Sequence, residues 1–225
     1  MLSFKEKIRR NFSKSAEDYE RYAELHREIA GKLLNQIPAG EYKKILEIGC
    51  GTGLLTFPLA ERFKDAEINA IDLALGMVGK AQAKAKAEVR IKVEVGDGER
   101  LDFPDDYFDL VVSSSSLQWM DIKKCFAEVK RVLKPRGEFH FALFLREGEA
   151  MIRKEMKMAG FKEIGLKSEI KEKRFDDLMG LLKFLKGLGA QASRRKPGFL
   201  PREKLFDKSS SVSAVFEVIF GGGSK

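Results

Sequence analysis

The chain has 225 residues, 44% hydrophobic and 34% charged, with 42 Lys and Arg against 34 Asp and Glu for a formal net charge of +8. This length can bury a core without staples, and the proportions are globular, which excludes a disordered chain, a collagen-like repeat and a disulfide scaffold. No apolar run approaches the ~18–20 residues of a membrane span, and the charged start, Met-Leu-Ser-Phe-Lys-Glu-Lys-Ile, has no secretory apolar core. Only Cys50 and Cys125 occur, so a cytoplasmic protein is expected.

Phe4 to Ile37 reads as helical, with Ile8, Phe12, Tyr19, Tyr22, Leu25, Ile29, Leu33 and Leu34 recurring at spacings of mostly three and four. A possible cap interrupts it at Ser13 to Tyr19, and such an arm would fold over a site and exclude water. Ile45, Leu46 and Ile48 then lead into glycines at alternate positions, Gly49, Gly51 and Gly53, followed by a helix-compatible run from Leu54 to Phe63. This predicts a buried parallel strand, a tight turn and a helix, the place where open α/β sheets bind nucleotides. The spacing is G-x-G-x-G, not the G-x-G-x-x-G that seats a pyrophosphate, and Glu47 lies at the strand end. A carboxylate there repels phosphate and suits a cationic amino-acid head group. Cys50 meets a requirement for a small side chain inside the turn.

Glu67 to Ile71 is the second predicted strand, closed by Asp72, 19 residues past Gly53. That carboxylate can accept from both ribose hydroxyls of a nucleoside, or cap the helix around Met77. A third strand, Arg90 to Val95, ends in Gly96-Asp97, a further pure acceptor. Phe108 to Ser113 is the fourth strand, followed by a helix over Ile122 to Leu133, a turn at Lys134 to Gly137 and a fifth strand over Glu138 to Phe144. Next come a helix over Glu149 to Ala159, a lysine-rich strand or loop reaching Arg174, and a helix over Phe175 to Leu188. A closing strand spans Val212 to Phe220, and Gly221-Gly-Gly-Ser-Lys reads as a flexible tail. Strand and helix alternate, so the class is α/β, and no repeat or long linker divides the chain. With His26 and His140 as the only histidines, no metal site is expected. His140, flanked by Phe139 and Phe141, is expected to pack beside the sheet.

Residues 1–150 balance, 25 basic against 25 acidic, whereas residues 151–208 carry 16 basic and 8 acidic. A patch of this kind steers an anionic partner, although a lysine-rich solvated face has the same composition.

The glycine turn resembles that of the class I S-adenosylmethionine (AdoMet) methyltransferases. Phe12-Ser-Lys-Ser-Ala-Glu-Asp-Tyr19 with Ala23-Glu-Leu, Ser114-Ser-Ser-Leu-Gln-Trp119 and Leu178 to Ala190 resemble, more narrowly, the malonyl-[acyl-carrier protein] O-methyltransferases of biotin synthesis, over most of residues 8–205. Two departures are His26, where that family often has Gln, and a short stretch between Phe144 and Met151. The resemblance implies a Rossmann-like fold: a seven-stranded, mostly parallel sheet with helices on both faces and a helical lid. It implies one domain over 1–225, with a helical arm (1–40), an AdoMet half (41–145) and a basic lid with closing strands (146–225). It also implies AdoMet as cofactor, S-adenosylhomocysteine as product and no metal. Cofactor contacts would come from Glu47, Gly49, Cys50, Gly51, Gly53, Asp72, Leu73, Met77, Gly96, Asp97, Gly98, Ser113 and Leu117, with Asp97 meeting the adenine amino group.

The implied reaction methylates the free carboxylate of a malonyl thioester on acyl-carrier protein, or of malonyl-coenzyme A. Carboxyl pKa values lie near 4, so the nucleophile needs no general base, and positioning and desolvation carry the rate. Tyr19, Gln118 and Trp119 are candidate walls. Arg194, Arg195 and Arg146 are candidate carboxylate clamps, because a guanidinium offers two parallel hydrogen bonds. A monomer is expected, and nucleic acid is not, since residues 113–119 lack the Asn/Asp-Pro-Pro-aromatic signature. The alternatives are a methyltransferase for another acid, a quinone or an amine, an RNA methyltransferase, and a non-catalytic AdoMet-binding partner.

Overall fold

A computed structural model describes residues 2–146, 148–190 and 211–225. The apolar runs become five parallel strands: β1 (Lys44–Ile48), β2 (Glu67–Asp72), β3 (Ile91–Val95), β4 (Phe108–Ser114) and β5 (Leu133–Phe144). Two antiparallel strands, β6 (Lys162–Phe175) and β7 (Val212–Ser224), complete one sheet in the order β3-β2-β1-β4-β5-β7-β6. The chain runs outward from β1 to β3 and then returns to β4 on the other side of β1. Strand order therefore reverses between β1 and β4, where the strand ends splay and leave a crevice.

Helices α3 (Glu24–Gln36), α4 (Thr56–Arg62) and α5 (Leu75–Ala85) cover one face, burying Ile29, Leu33, Leu59 and Ala81 against Ile45, Ile68, Leu110 and Val112. Helices α6 (Ile122–Val132) and α7 (Glu149–Met158) cover the other, with Phe126, Val129, Ile152 and Met156 on Leu46, Val111, Phe139 and Phe141. The expected turn at Lys134 to Gly137 is a bulge within β5: Phe108 pairs with Leu133, but Leu110 pairs with Glu138.

The predicted N-terminal helix divides into α1 (Phe4–Ser15), α2 (Tyr19–Tyr22) and α3. Ser3 opens α1 with a capping box, accepting from the Glu6 amide while the Glu6 carboxylate accepts from its own. A third cluster joins Ala16, Tyr19 and Ala23 of this arm to Ala74 and Met77 at the start of α5 and to Phe184 and Leu188 of the α8 region (α8, Leu178–Gly187). The close approach explains Gly187, where a Cβ would lie 2.1 Å from Tyr22 Cδ2. Helix α8 starts later than the periodicity predicts, because Asp177 caps it by accepting from the Gly180 amide at 2.6 Å.

The flexible tail expected at Gly221 to Lys225 is a correction. Gly221, Gly222 and Gly223 pair with Phe141, His140 and Phe139 inside the sheet. A Cβ on Gly221 would come within 2.4 Å of Phe141 Cζ and 2.5 Å of Leu166 Cδ2. Large neighbouring side chains fill the space over this strand, so a composition that suggests a linker is what the sheet requires. The lysine-rich stretch before α8 is strand β6, and Lys171 and Lys173 pair with Glu28 and Glu24 of α3 at 2.7 and 3.0 Å. Part of the basic surface is thereby neutralised. No described helix is long and apolar enough to cross a membrane.

Candidate functional site

The turn after β1 is held from both sides. The amides of Gly49 and Cys50 donate to the Ile71 carbonyl at 2.8 and 3.0 Å, tying the turn to β2. Gly49, Gly51 and Gly53 have φ of +74°, +56° and +93°, a region that side chains with a Cβ rarely adopt. Asp72 accepts from the Gly51 amide with Oδ2 (2.9 Å) and from the Ala74 amide with Oδ1 (2.8 Å), so it braces the turn and does not cap α5, whose N-cap is Ala74. A Cβ on Gly51 would meet no atom within 4 Å, because this stretch of backbone faces a cavity.

That cavity has about 960 Å³ of free space, part of it continuous with solvent. Glu47, 1% exposed, accepts from Thr56 Oγ1 at 2.5 Å. Burial pushes its carboxyl up to about 7, helped by the nearby Asp72 charge, and burial also raises Asp72. Neither carboxylate has a lysine or arginine partner among the described residues. Further along, Asp97 accepts from the Glu99 amide at 3.0 Å, and Lys5 of α1 reaches across to Asp97 and Glu99 at 2.7 and 2.9 Å. Phe12 packs edge-on against Trp119, ring centroids 5.6 Å apart. Tyr19 and His26 form another wall, 6.0 Å apart, and His26 lies 5.3 Å from Phe144 at the end of β5. Burial keeps the Tyr19 phenol protonated and lowers His26 to about 4, so the imidazole is neutral.

The cavity brings together Tyr19, Glu47, Gly49, Cys50, Gly51, Asp72, Leu73, Met77, Gly96, Asp97, Gly98 and Trp119. Other sequence candidates stand behind its lining. Gly53 shapes the turn, and Leu117 is fully buried. Ser113 donates to the Ile48 carbonyl at 2.9 Å, as does Ser116, which itself lines the cavity, so the end of β1 is fixed. Gln118 donates to the Ser115 carbonyl at 2.8 Å, and Arg146 is exposed after β5. Arg194 and Arg195 lie outside the described residues. Cys50 is 4% exposed, and burial raises its thiol far above the reactive range. His140 pairs with Glu138 at 2.8 Å beside the sheet. No group of metal-ligating side chains occurs among the described residues.

Sequence reasoning missed Lys5, Ser115 and Met120 as lining residues. Ser115 carries a signal only in three dimensions: φ of +57° and a buried Oγ with no hydrogen-bond partner among the described residues. The donor set suits one kind of ligand. Buried Glu47 and half-buried Asp72, neither paired with a cation among the described residues, and a backbone open at Gly51 fit a cationic amino-acid nucleoside and oppose a phosphate; Lys84, which donates to the Thr52 carbonyl of the turn at 3.1 Å, is already engaged by Glu20 of the arm.

Residues 45–137 match the family profile described as a methyltransferase domain. Among solved structures, a phosphoethanolamine N-methyltransferase of Haemonchus contortus in complex with S-adenosylhomocysteine has a TM-score of 0.68 at 17% identity, covering 100% of this chain and 60% of that one. The Bacillus subtilis YcgJ protein has a TM-score of 0.67 at 16% identity, covering 88% and 98%. The [4+2]-cyclase SpnF also shares the fold (TM-score 0.61, 17% identity, covering 88% and 81%), so architecture by itself does not specify the reaction. The matching domain, strand order and glycine turn give the chain a Rossmann-like methyltransferase fold.

In sequence the similarity is narrower. It is 29% identical to a malonyl-[acyl-carrier protein] O-methyltransferase of Geobacter sulfurreducens, covering 97% of this chain and 98% of that protein. It is 38% identical over 140 residues to one from Halorhodospira halophila, covering 61% of this chain and 48% of that protein.

Proposed function

We propose that this protein methylates the free carboxylate of a malonyl thioester carried on acyl-carrier protein, with AdoMet as methyl donor, in the cytoplasm. The observation that carries the cofactor half is the pair of carboxylates, buried Glu47 and half-buried Asp72, in one cavity without a cation partner among the described residues. Glu47 would hold the α-ammonium, Asp72 the ribose hydroxyls and Asp97 the adenine amine. The acceptor half rests on similarity to enzymes with that name along nearly the whole chain.

Bound AdoMet supplies an activated methyl on a positively charged sulfur, which needs neither acid nor base from the protein when the acceptor is already an anion. The remaining work is positioning and exclusion of water. The arm does both: α1 spans the cavity from Lys5 on Asp97 to Phe12 on Trp119, and Tyr19 closes the side toward β5. Acyl-carrier proteins are acidic, and the basic residues of 151–208 not already matched by α3 offer complementary charge, which acts chiefly on the rate of encounter.

The test is to incubate the protein with AdoMet and malonyl-carrier protein and weigh the product. The expected result is the mass gain of one CH₂ on the malonyl group. No gain on malonyl-carrier protein or malonyl-coenzyme A, with a gain on a different acid, quinone or amine, overturns the acceptor assignment.

A further inference from the structure

His26 stands where the acid-lined part of the cavity meets its aromatic part. Its ring lines the cavity between Tyr19 and Phe144. Nδ1 is sealed from solvent and has no hydrogen-bond partner among the described residues. An unpaired buried nitrogen is costly, and nothing in the packing needs one, since a phenylalanine or leucine would fill the same place between two aromatic rings. A fold that retains such a ring retains it for a ligand.

The tautomer follows from the same observation. A buried N–H without an acceptor is rarer and costlier than a bare lone pair. The proton therefore belongs on Nε2, the nitrogen that is not sealed, and the neutral ring is a donor there. Location then selects the ligand. Glu47, Asp72 and Asp97 occupy the ends of β1 to β3, whereas Phe144 ends β5, so His26 lies on the side left for the methyl acceptor. On that side an anionic acceptor needs donors. Lys5 is the only lysine or arginine among the described lining residues, and it is bound to Asp97 and Glu99.

We infer that His26 Nε2–H donates a hydrogen bond to the carboxylate of the methyl acceptor, making His26 a substrate-contacting specificity residue. This rests on the reading of the acceptor as an acid. The bond holds one oxygen and leaves the other free to take the methyl.

The chain has only two histidines, so ring-nitrogen NMR resolves His26 with His140 as internal control. The protein is loaded with S-adenosylhomocysteine and titrated with malonyl-pantetheine or, separately, acetyl-pantetheine, which lacks the carboxylate. The malonyl compound is expected to move the His26 signals and the acetyl compound to leave them in place, with His140 unchanged in both. His26→Phe is expected to lower kcat/KM for the malonyl thioester by about tenfold or more, the loss of one hydrogen bond to a charged group. His26→Gln, which keeps an N–H donor, restores most of it, and both variants keep the S-adenosylhomocysteine affinity within about twofold. No His26 response to the malonyl compound, an equal response to the acetyl compound, or unchanged kinetics in His26→Phe overturns the inference. A His26 response without CH₂ transfer upholds the contact and sinks the proposed reaction instead.

Discussion

The two halves of the cavity are built in opposite ways. Around the ends of β1 to β3, the groups that face the cavity come from consecutive strand–turn units and are braced by backbone: Asp72 by two amides, Asp97 by one, and the glycine turn by the Ile71 carbonyl. Around the arm and β5, the wall is made of side chains from distant segments meeting by packing, Phe12 on Trp119, Tyr19 on His26 and His26 on Phe144. The first half is a rigid set of charges fixed by local turns. The second is a cover whose rings meet by packing, which suits the proposed acceptor, a large thioester that would have to enter and leave.

If the rigid half carries cofactor affinity, Asp72→Ala should produce the largest effect. Two hydrogen bonds to a charged group are worth about 1.5–3 kcal/mol each, so affinity for S-adenosylhomocysteine should fall by about 100-fold or more. Calorimetry measures this, and circular dichroism checks that the turn still folds. A loss below fivefold would place the affinity in the cover instead.

Glu47 gives the next effect, through pH. Its folded pKa, about 7, stands above the unfolded value near 4.5, so the native state holds this proton more tightly. The associated stability is present below the unfolded pKa and is lost as pH rises toward 7. Asp72, also raised by desolvation, acts in the same direction, and the Cys50 thiol stays protonated throughout. A cationic ligand favours ionised Glu47, so affinity should strengthen about tenfold from pH 6 to pH 8. Isothermal titration across that range should show proton release on binding. Glu47→Gln should bind more weakly and show a flat profile.

The smallest effect is expected in the cover. The Lys5 ion pairs with Asp97 and Glu99 are partly exposed, the lysine side chain by 39%, and such pairs contribute at most about 1 kcal/mol. Lys5→Ala should change cofactor affinity by no more than about fivefold while speeding dissociation, measured by stopped-flow fluorescence of Trp119, which packs on Phe12 of the same helix. A loss as large as that of Asp72→Ala would erase the contrast between the halves.

The amino-acid sequence by itself determined the rigid half. Strand periodicity, three alternate glycines and an acidic residue at each of three strand ends are local patterns, and local backbone geometry is what they control. Five strands and the acidic constellation were therefore legible from residues 45–144. Only the tertiary structure decided the cover. Lys5, His26 and Ser115 carry no local signature: Lys5 and His26 become cavity walls because the arm docks on α5 and α8, and Ser115 because the chain turns at the end of β4 with φ of +57°. The glycines at 221–223 make the same point in reverse. In isolation they describe a loose tail, yet they form a strand between β5 and β6 because Phe141 and Leu166 already occupy the space a side chain would need. Which atoms fill that space is a property of neighbours distant in sequence, and no window along the chain contains it.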